Sequence, residues 1–302
     1  MCAQCEKDVF PAGSMFFSGL PVVSTGAALR GRVSEWRQTG LRIGFVPTMG
    51  NLHAGHFRLV QRAREIADRV VVSIFVNPSQ FGPGEDYDAY PRTFEADCAG
   101  LADQGADLLF YPAVADIYPR PFSAMAQVEV PGLSDILCGA ARPGHFKGVT
   151  TVVCKLFNLV QPDVALFGQK DYQQLALIRQ MVNDLSMPVV IEGVPTVREE
   201  DGLALSSRNQ YLSLDERSVA PQLYQCLQQA AKALAAGERD WPAMESEQCA
   251  RLYASGFNPD YFSIRDADTL EEPEINTVNF IILVAARLGK ARLIDNLAVN
   301  VS

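Results

Sequence analysis

Histidine is scarce in this chain: 302 residues hold three, at positions 53, 56 and 145. Few groups can therefore change charge near neutral pH, and any site that uses imidazole draws on these residues. Basic residues are also in the minority, with 26 Lys plus Arg against 35 Asp plus Glu and a formal net charge of −9. That balance argues against duplex DNA, RNA or an anionic membrane as the main partner, but leaves room for a local basic pocket around a phosphorylated small molecule. No run of eighteen apolar residues is present, which argues against a transmembrane helix. Residues 1–20 show neither a basic n-region nor an uninterrupted apolar h-region, so no secretory signal is expected and the chain is read as cytoplasmic. The seven cysteines are odd in number, and only Cys2 and Cys5 have C-x-x-C spacing. With no second pair to complete a zinc site, reduced cytosolic thiols are the simpler reading.

What is present suffices for a sizeable core: 48% hydrophobic and 20% charged residues exclude wholesale disorder. After a tail at 1–20, LRIGFVP (41–47), RVVVSIFV (69–76), ADLLFYP (106–112), PDVALFG (162–168) and PVVIEGV (188–194) read as buried strands. Helical patterns lie between them, from about Ala54, over 94–105, over 151–160 and from Asp171 to Leu185. This alternation predicts right-handed βαβ crossovers and a doubly wound, Rossmann-like parallel α/β sheet over 21–196. Beyond it, Ser213–Glu216 has capping-box spacing, a helix fits 241–255, and strands fit 261–266, 280–288 and 291–296. Residues 197–302 are thus read as a smaller α+β domain that closes over the site as a lid.

The strongest chemical signal is Pro47-Thr48-Met49-Gly50-Asn51-Leu52-His53-Ala54-Gly55-His56, where the first strand gives way to its helix. Ligands of open parallel sheets bind at this carboxyl edge, and the free amides of a helix N-terminus suit phosphate oxygens. Gly50 and Gly55 allow close backbone approach, and the imidazoles supply donors. Lys170 and Asp171 follow another strand at the same edge. Lys170 is read as a phosphate contact and Asp171 as a helix cap or a group for ribose or metal-bound water, with a solvated lysine and an ordinary capping aspartate as the lesser alternative. Residues 142–179 hold five basic side chains (Arg142, Lys147, Lys155, Lys170, Arg179) and two acids, a local excess suited to polyphosphate. His145, in R-P-G-H, is read either as a group near substrate or as a hydrogen-bonded turn residue. Glu85, Asp86 and Asp88 are read as a solvated loop.

The H-x-G-H of residues 53–56 resembles the signature of the nucleotidyltransferase superfamily. With Ser73–Gly82 (SIFVNPSQFG), Tyr90–Thr93 (YPRT), Arg142–Val149 (RPGHFKGV), Phe167–Gln174 (FGQKDYQQ) and Ser206–Asn209 (SSRN), it closely resembles the pantothenate synthetase (pantoate–β-alanine ligase) family over about residues 21–300. The resemblance implies an ATP-dependent condensation of pantoate with β-alanine through a pantoyl-adenylate, releasing AMP and pyrophosphate, and a homodimer. By the same resemblance His53, His56, Lys170 and Arg208 are catalytic. Met49, Gly50, Asn51, Leu52, His53, Ala54, Gly55, His56, Gly168, Gln169, Lys170, Asp171, Val197, Leu205, Ser206, Ser207 and Arg208 would form the ATP site. Gln80 and Gln174 would hold pantoate, Gln80 would also meet β-alanine, and Asp97 would serve Mg²⁺. The chain departs from the pattern at Ala96, where some members carry another acid, at Leu205, usually Met, and at Phe57, usually aliphatic. Two other readings remain: a nucleotidyltransferase that releases a nucleotide-linked product, and a catalytically inactive nucleotide sensor.

Overall fold

Apolar β-branched runs and amphipathic helices alternate along the computed structural model, which describes residues 15–301. Cys2 and Cys5 lie outside the described residues. The strands are β1 (Met15–Phe17), β2 (Leu20–Val23), β3 (Ile43–Thr48), β4 (Arg69–Ile74), β5 (Leu108–Phe110), β6 (Val164–Gly168), β7 (Val190–Val194), β8 (Asn258–Asp266), β9 (Asn279–Leu288) and β10 (Ala291–Asn300). The helices are α1 (Gly26–Gln38), α2 (Ala54–Ile66), α3 (Phe94–Asp103), α4 (Val114–Ile117), α5 (Cys138–Ala141), α6 (His145–Val160), α7 (Tyr172–Asp184), α8 (Leu214–Val219), α9 (Gln222–Ala235) and α10 (Trp241–Ala254).

The first seven strands form one sheet in the order β1-β2-β5-β4-β3-β6-β7, parallel except for β1. Helices cover both faces. Leu29, Val33 and Trp36 of α1 pack with α6 and α7 on one side, while Leu59, Val60 and Ala63 of α2 pack with Cys98 and Leu101 of α3 on the other. The doubly wound reading therefore holds. From β3 the chain runs outward through β4 and β5, then returns to place β6 on the other flank of β3. The strand order reverses between β3 and β6, and a crevice opens outside their carboxyl ends.

Three elements at the start were not read from the sequence. Part of the stretch read as a tail is strand: β1 turns at Ser18-Gly19, both at positive φ (52° and 81°), and pairs with β2. β2 is only LPVV, and its Pro21 blurs a strand pattern. α1 carries glycines at 26 and 31 within a polar run, so its buried stripe is easily missed. Farther on, Ser213 and Glu216 form the expected reciprocal cap, but α8 is only 6 residues long. Pro221 interrupts it, and a second helix, α9, begins at Gln222.

The last three strands make an antiparallel sheet, β10-β9-β8. Leu293 of β10 packs with Ile282 and Val284 of β9 against α9 and α10, whereas Ala285 and Ile294 join the core of the large sheet. Polar bonds cross the same junction, including Tyr172 Oη to the Ala267 carbonyl at 2.7 Å. No helix among the described residues is long and apolar enough to cross a membrane.

One glycine fixes the approach of a site turn to this scaffold. A Cβ on Gly148 of α6 would lie 2.3 Å from the Ser79 carbonyl oxygen and 2.8 Å from the Gln80 nitrogen. Gly148→Ala is expected to destabilise the fold by about 1–3 kcal/mol through overpacking, read as a lower urea midpoint. An unchanged midpoint would contradict this packing.

Candidate active site

The turn after β3 is shaped by two left-handed residues, Gly50 (φ 85°) and Asn51 (φ 51°). Asn is among the few non-glycine residues that tolerate this region. Behind the turn, the buried carboxylate of Asp97 on α3 accepts the Asn51 N–H at 2.9 Å, the Leu52 N–H at 2.8 Å and the Thr93 hydroxyl at 3.0 Å. Both oxygens of Asp97 are thus committed to backbone and hydroxyl donors, away from the main cleft. In this arrangement Asp97 braces the first turn from behind, with Oδ2 carrying the Asn51 bond alone. Among the described residues no group of three His, Cys, Asp or Glu side chains is disposed to hold a metal.

His53 caps α2, its Nδ1 accepting the Gly55 N–H at 3.1 Å, and His56 Nδ1 accepts the His53 N–H at 3.3 Å. Each imidazole therefore carries its proton on Nε2, set by the backbone rather than by a carboxylate. A Cβ on Gly55 would come within 2.9 Å of the His53 ring, so glycine clears the space in which that ring stands. Phe57, the unusual aromatic, packs over Gly100, where a Cβ would sit 2.4 Å from the ring tip.

Met49, His56, Gln80, Lys170, Asp171, Gln174, Ser206 and Arg208 line one cleft of about 500 Å³ at the switch point between β3 and β6. Gly50, Asn51, Leu52, His53, Ala54, Gly55, Gly168, Gln169, Val197, Leu205 and Ser207 belong to the turns behind it and to the strand and helix ends that adjoin them. Ser207 Oγ donates to the Asn51 carbonyl at 3.2 Å, tying the third turn to the first. Gln80 donates to Met49 Sδ at 3.1 Å and accepts from Asn77 Nδ2 at 2.9 Å. Phe75, Val149, Val152, Val153, Leu156 and Phe167 supply an apolar wall. Cys98, Cys138, Cys154, Cys226 and Cys249 are free thiols.

The cations reach this cleft by a route the local charge count did not reveal. Of the five basic residues between 142 and 179, only Arg142 and Lys170 line it. Lys147 pairs with Glu129 at 3.3 Å, and Lys155 lies over the Tyr118 ring at 6.0 Å. Arg287, Lys290 and Arg292 instead come from β9, β10 and their connection. Only the alternation of residues along those strands pointed that way, and it does not say what lies opposite. Glu85 and Asp86, read as a solvated loop, also face inward. Arg142 binds Glu85 at 2.5 Å, and Arg208 binds Asp86 at 3.1 Å. Burial alone would raise the Glu85 carboxyl, but its bonds to Arg142 prevail and hold it down to about 2.

His145 is a positioned turn residue. Its Nδ1 donates to the Gln80 carbonyl at 2.7 Å, and its Nε2 accepts from Arg142 at 3.0 Å. Burial, reinforced by Arg142, lowers it to about 4. Burial and then the Lys170 charge bring His53 to about 4; burial, His53 and Lys170 bring His56 to about 3. All three imidazoles are neutral at pH 7. An unfolded chain takes up protons on them below about pH 6.5, while the folded protein does not until about pH 3–4. Their contribution to stability is complete above pH 6.5 and declines as the pH falls toward 4, by at most about 1.4 kcal/mol per pH unit per histidine. The urea midpoint should therefore drop between pH 7 and pH 5, and drop less in His56→Gln. Equal pH sensitivity in parent and variant would contradict a neutral, buried His56.

The family model for pantoate-beta-alanine ligase matches residues 21–298. The chain is 55% identical to the pantothenate synthetase of Nitrosococcus oceani over 92% of this chain and 98% of that protein. It is 57% identical to the enzyme of Pseudomonas fluorescens over 91% and 96% of the two chains. Among solved structures, pantothenate synthetase from Thermus thermophilus superposes with a TM-score of 0.85 at 49% identity, covering 91% of this chain and 98% of that one. The Francisella tularensis ligase, in complex with beta-gamma ATP and beta-alanine, superposes at 0.77 with 35% identity, covering 91% and 96%. A seven-stranded sheet, parallel but for β1, with H-x-G-H at its switch point, matched along nearly its whole length, makes this chain a member of the pantoate–β-alanine ligase (pantothenate synthetase) family.

Proposed function

We propose that the chain joins pantoate to β-alanine in two steps that share the cleft between β3 and β6. In the first, a pantoate carboxylate oxygen attacks the α-phosphorus of ATP, and the bond to pyrophosphate breaks. In the second, the free amine of β-alanine attacks the acyl carbon, and the bond to AMP breaks. The observation that carries this reading is the meeting of three turns around one cleft: the H-x-G-H turn, the Lys170 turn and the Ser206–Arg208 turn. ATP in the Francisella tularensis complex supports the nucleotide half of it.

The groups suit the chemistry. Lys170 and Arg208 bring positive charge to phosphate oxygens as negative charge shifts in the transition state. Neutral His53 and His56 act as N–H donors from Nε2, able to bond a phosphate oxygen without a proton-uptake step. Gln80 and Gln174 orient pantoate through amides that both donate and accept, leaving its carboxylate charged and nucleophilic. The wall of Phe75, Val149, Val152 and Val153 suits pantoate's geminal methyl groups and keeps water from the acyl-adenylate. Asp86 and Glu85 hold Arg208 and Arg142 until anionic substrate groups replace them.

Incubation with ATP and pantoate should release pyrophosphate without amine, and later addition of β-alanine should release AMP. A stable nucleotide adduct indifferent to β-alanine would instead indicate a nucleotidyltransferase, and inactivity with all substrates would indicate a sensor. His56→Ala should retain ATP binding and lose turnover by about 100- to 1000-fold. Parental turnover in that variant would remove His56 from the mechanism.

A further inference from the structure

Asp295 and Asn296 have no part in the chemistry above, yet both are buried, 3% and 7% exposed, and both line the cleft. They are consecutive on β10, whose pairing with β9 is regular there. Consecutive strand residues point to opposite faces. Asp295 lies on the face of Leu293, toward α9, and Asn296 on the face of Ile294, toward the large sheet.

Asn296 spends its amide on one turn. Its Nδ2 donates to the Gln169 carbonyl at 2.9 Å and to the Lys170 carbonyl at 2.8 Å. Those carbonyls belong to the peptides on either side of the Lys170 Cα, so holding both sets the direction in which the Lys170 side chain leaves the backbone. The turn Gln169–Asp171 has no side-chain cap of its own.

Asp295 serves the other cationic turn. Its carboxylate takes both terminal nitrogens of Arg198, at 2.6 and 2.9 Å. Arg198 also donates to the Gly202 carbonyl at 3.1 Å and the Asn296 carbonyl at 3.2 Å, and its guanidinium stacks 3.7 Å from the Tyr224 ring centre. Arg198 pairs with Ala204 across a short bridge, and Leu205 N–H donates to the Val197 carbonyl at 3.0 Å. The chain leaves this bridge directly into Ser206–Arg208.

We infer that the Asp295–Asn296 pair is a positioning element that sets the Lys170 turn and the Ser206–Arg208 turn in register across the nucleotide phosphates. One strand step links the two turns, so neither cation shifts without straining a buried bond. The inference rests on the reading of Lys170 and Arg208 as phosphate contacts. It accounts for two buried polar residues of the C-terminal sheet, Asp295 and Asn296, that face turns rather than substrate.

A double-mutant cycle in the full-length protein, read by pantoate-dependent ATP–pyrophosphate exchange, tests this. Asn296→Ala should lower kcat/KM for ATP by up to about 100-fold, the scale of a 1 Å misplacement, while KM for β-alanine, read in the complete reaction, stays unchanged. In a Lys170→Ala background the same change should cost no more than about twofold, because its effect runs through Lys170. A full additive loss in that background would show a merely structural role and overturn the inference. So would parental exchange in Asn296→Ala while Lys170→Ala is impaired. Parental exchange in Lys170→Ala would overturn the phosphate-contact reading itself. If Asn296→Ala fails to fold, Asn296→Ser enters the same cycle, and Asp295→Asn against Arg208→Ala tests the other arm with the same expectation.

Discussion

Everything chemical in this protein depends on the reversal of strand order between β3 and β6. Two parallel strands that are neighbours in space but far apart in sequence send their chains away in opposite directions, so the edge between them is left open. The turns that follow Thr48 and Gly168 must then face one another. Helices α2 and α7 begin just beyond those turns, adding the partial positive charge of their first N–H groups. An edge suited to an anionic ligand follows from topology before any side chain is specified.

The electrostatics of the cleft refine that arrangement. Six basic side chains and four acidic ones line it, in a protein of net charge −9. Concentrating cations in a partly enclosed space makes further positive charge costly. The histidines, lowered by burial and by Lys170 or Arg142, are accordingly neutral donors and acceptors with fixed tautomers. The inward acids Glu85 and Asp86 keep two arginines paired where an isolated guanidinium would be expensive to desolvate.

Much of this was legible in one dimension. β3, β4 and β6 are apolar runs bounded by turn residues, and α2 opens where H-x-G-H predicts it. Met49, His56, Gln80, Lys170, Gln174 and Arg208, picked out by resemblance, do converge. Short or mixed segments were not legible: LPVV offers too few residues for a period, and α1 dilutes its buried stripe with glycine and arginine. Roles that depend on a partner were not legible for a related reason. Asp97 has the chemistry of a metal ligand in any list of residues. Only the nearby Asn51 and Leu52 amides turn it into a brace for the first turn.

Local pattern by itself determined the kinds of element, their alternation, and hence a parallel sheet with its ligand edge at the carboxyl ends. Those properties follow from nearest neighbours along the chain: side-chain period, caps and turn residues. Tertiary structure alone decided that Arg287, Lys290 and Arg292 share the cleft with Lys170, and that Asn296 grips the lysine's own turn. It also decided that His145 braces Gln80. These contacts join residues many tens of positions apart, and their strength depends on burial and orientation. Neither quantity exists until the two sheets are packed together.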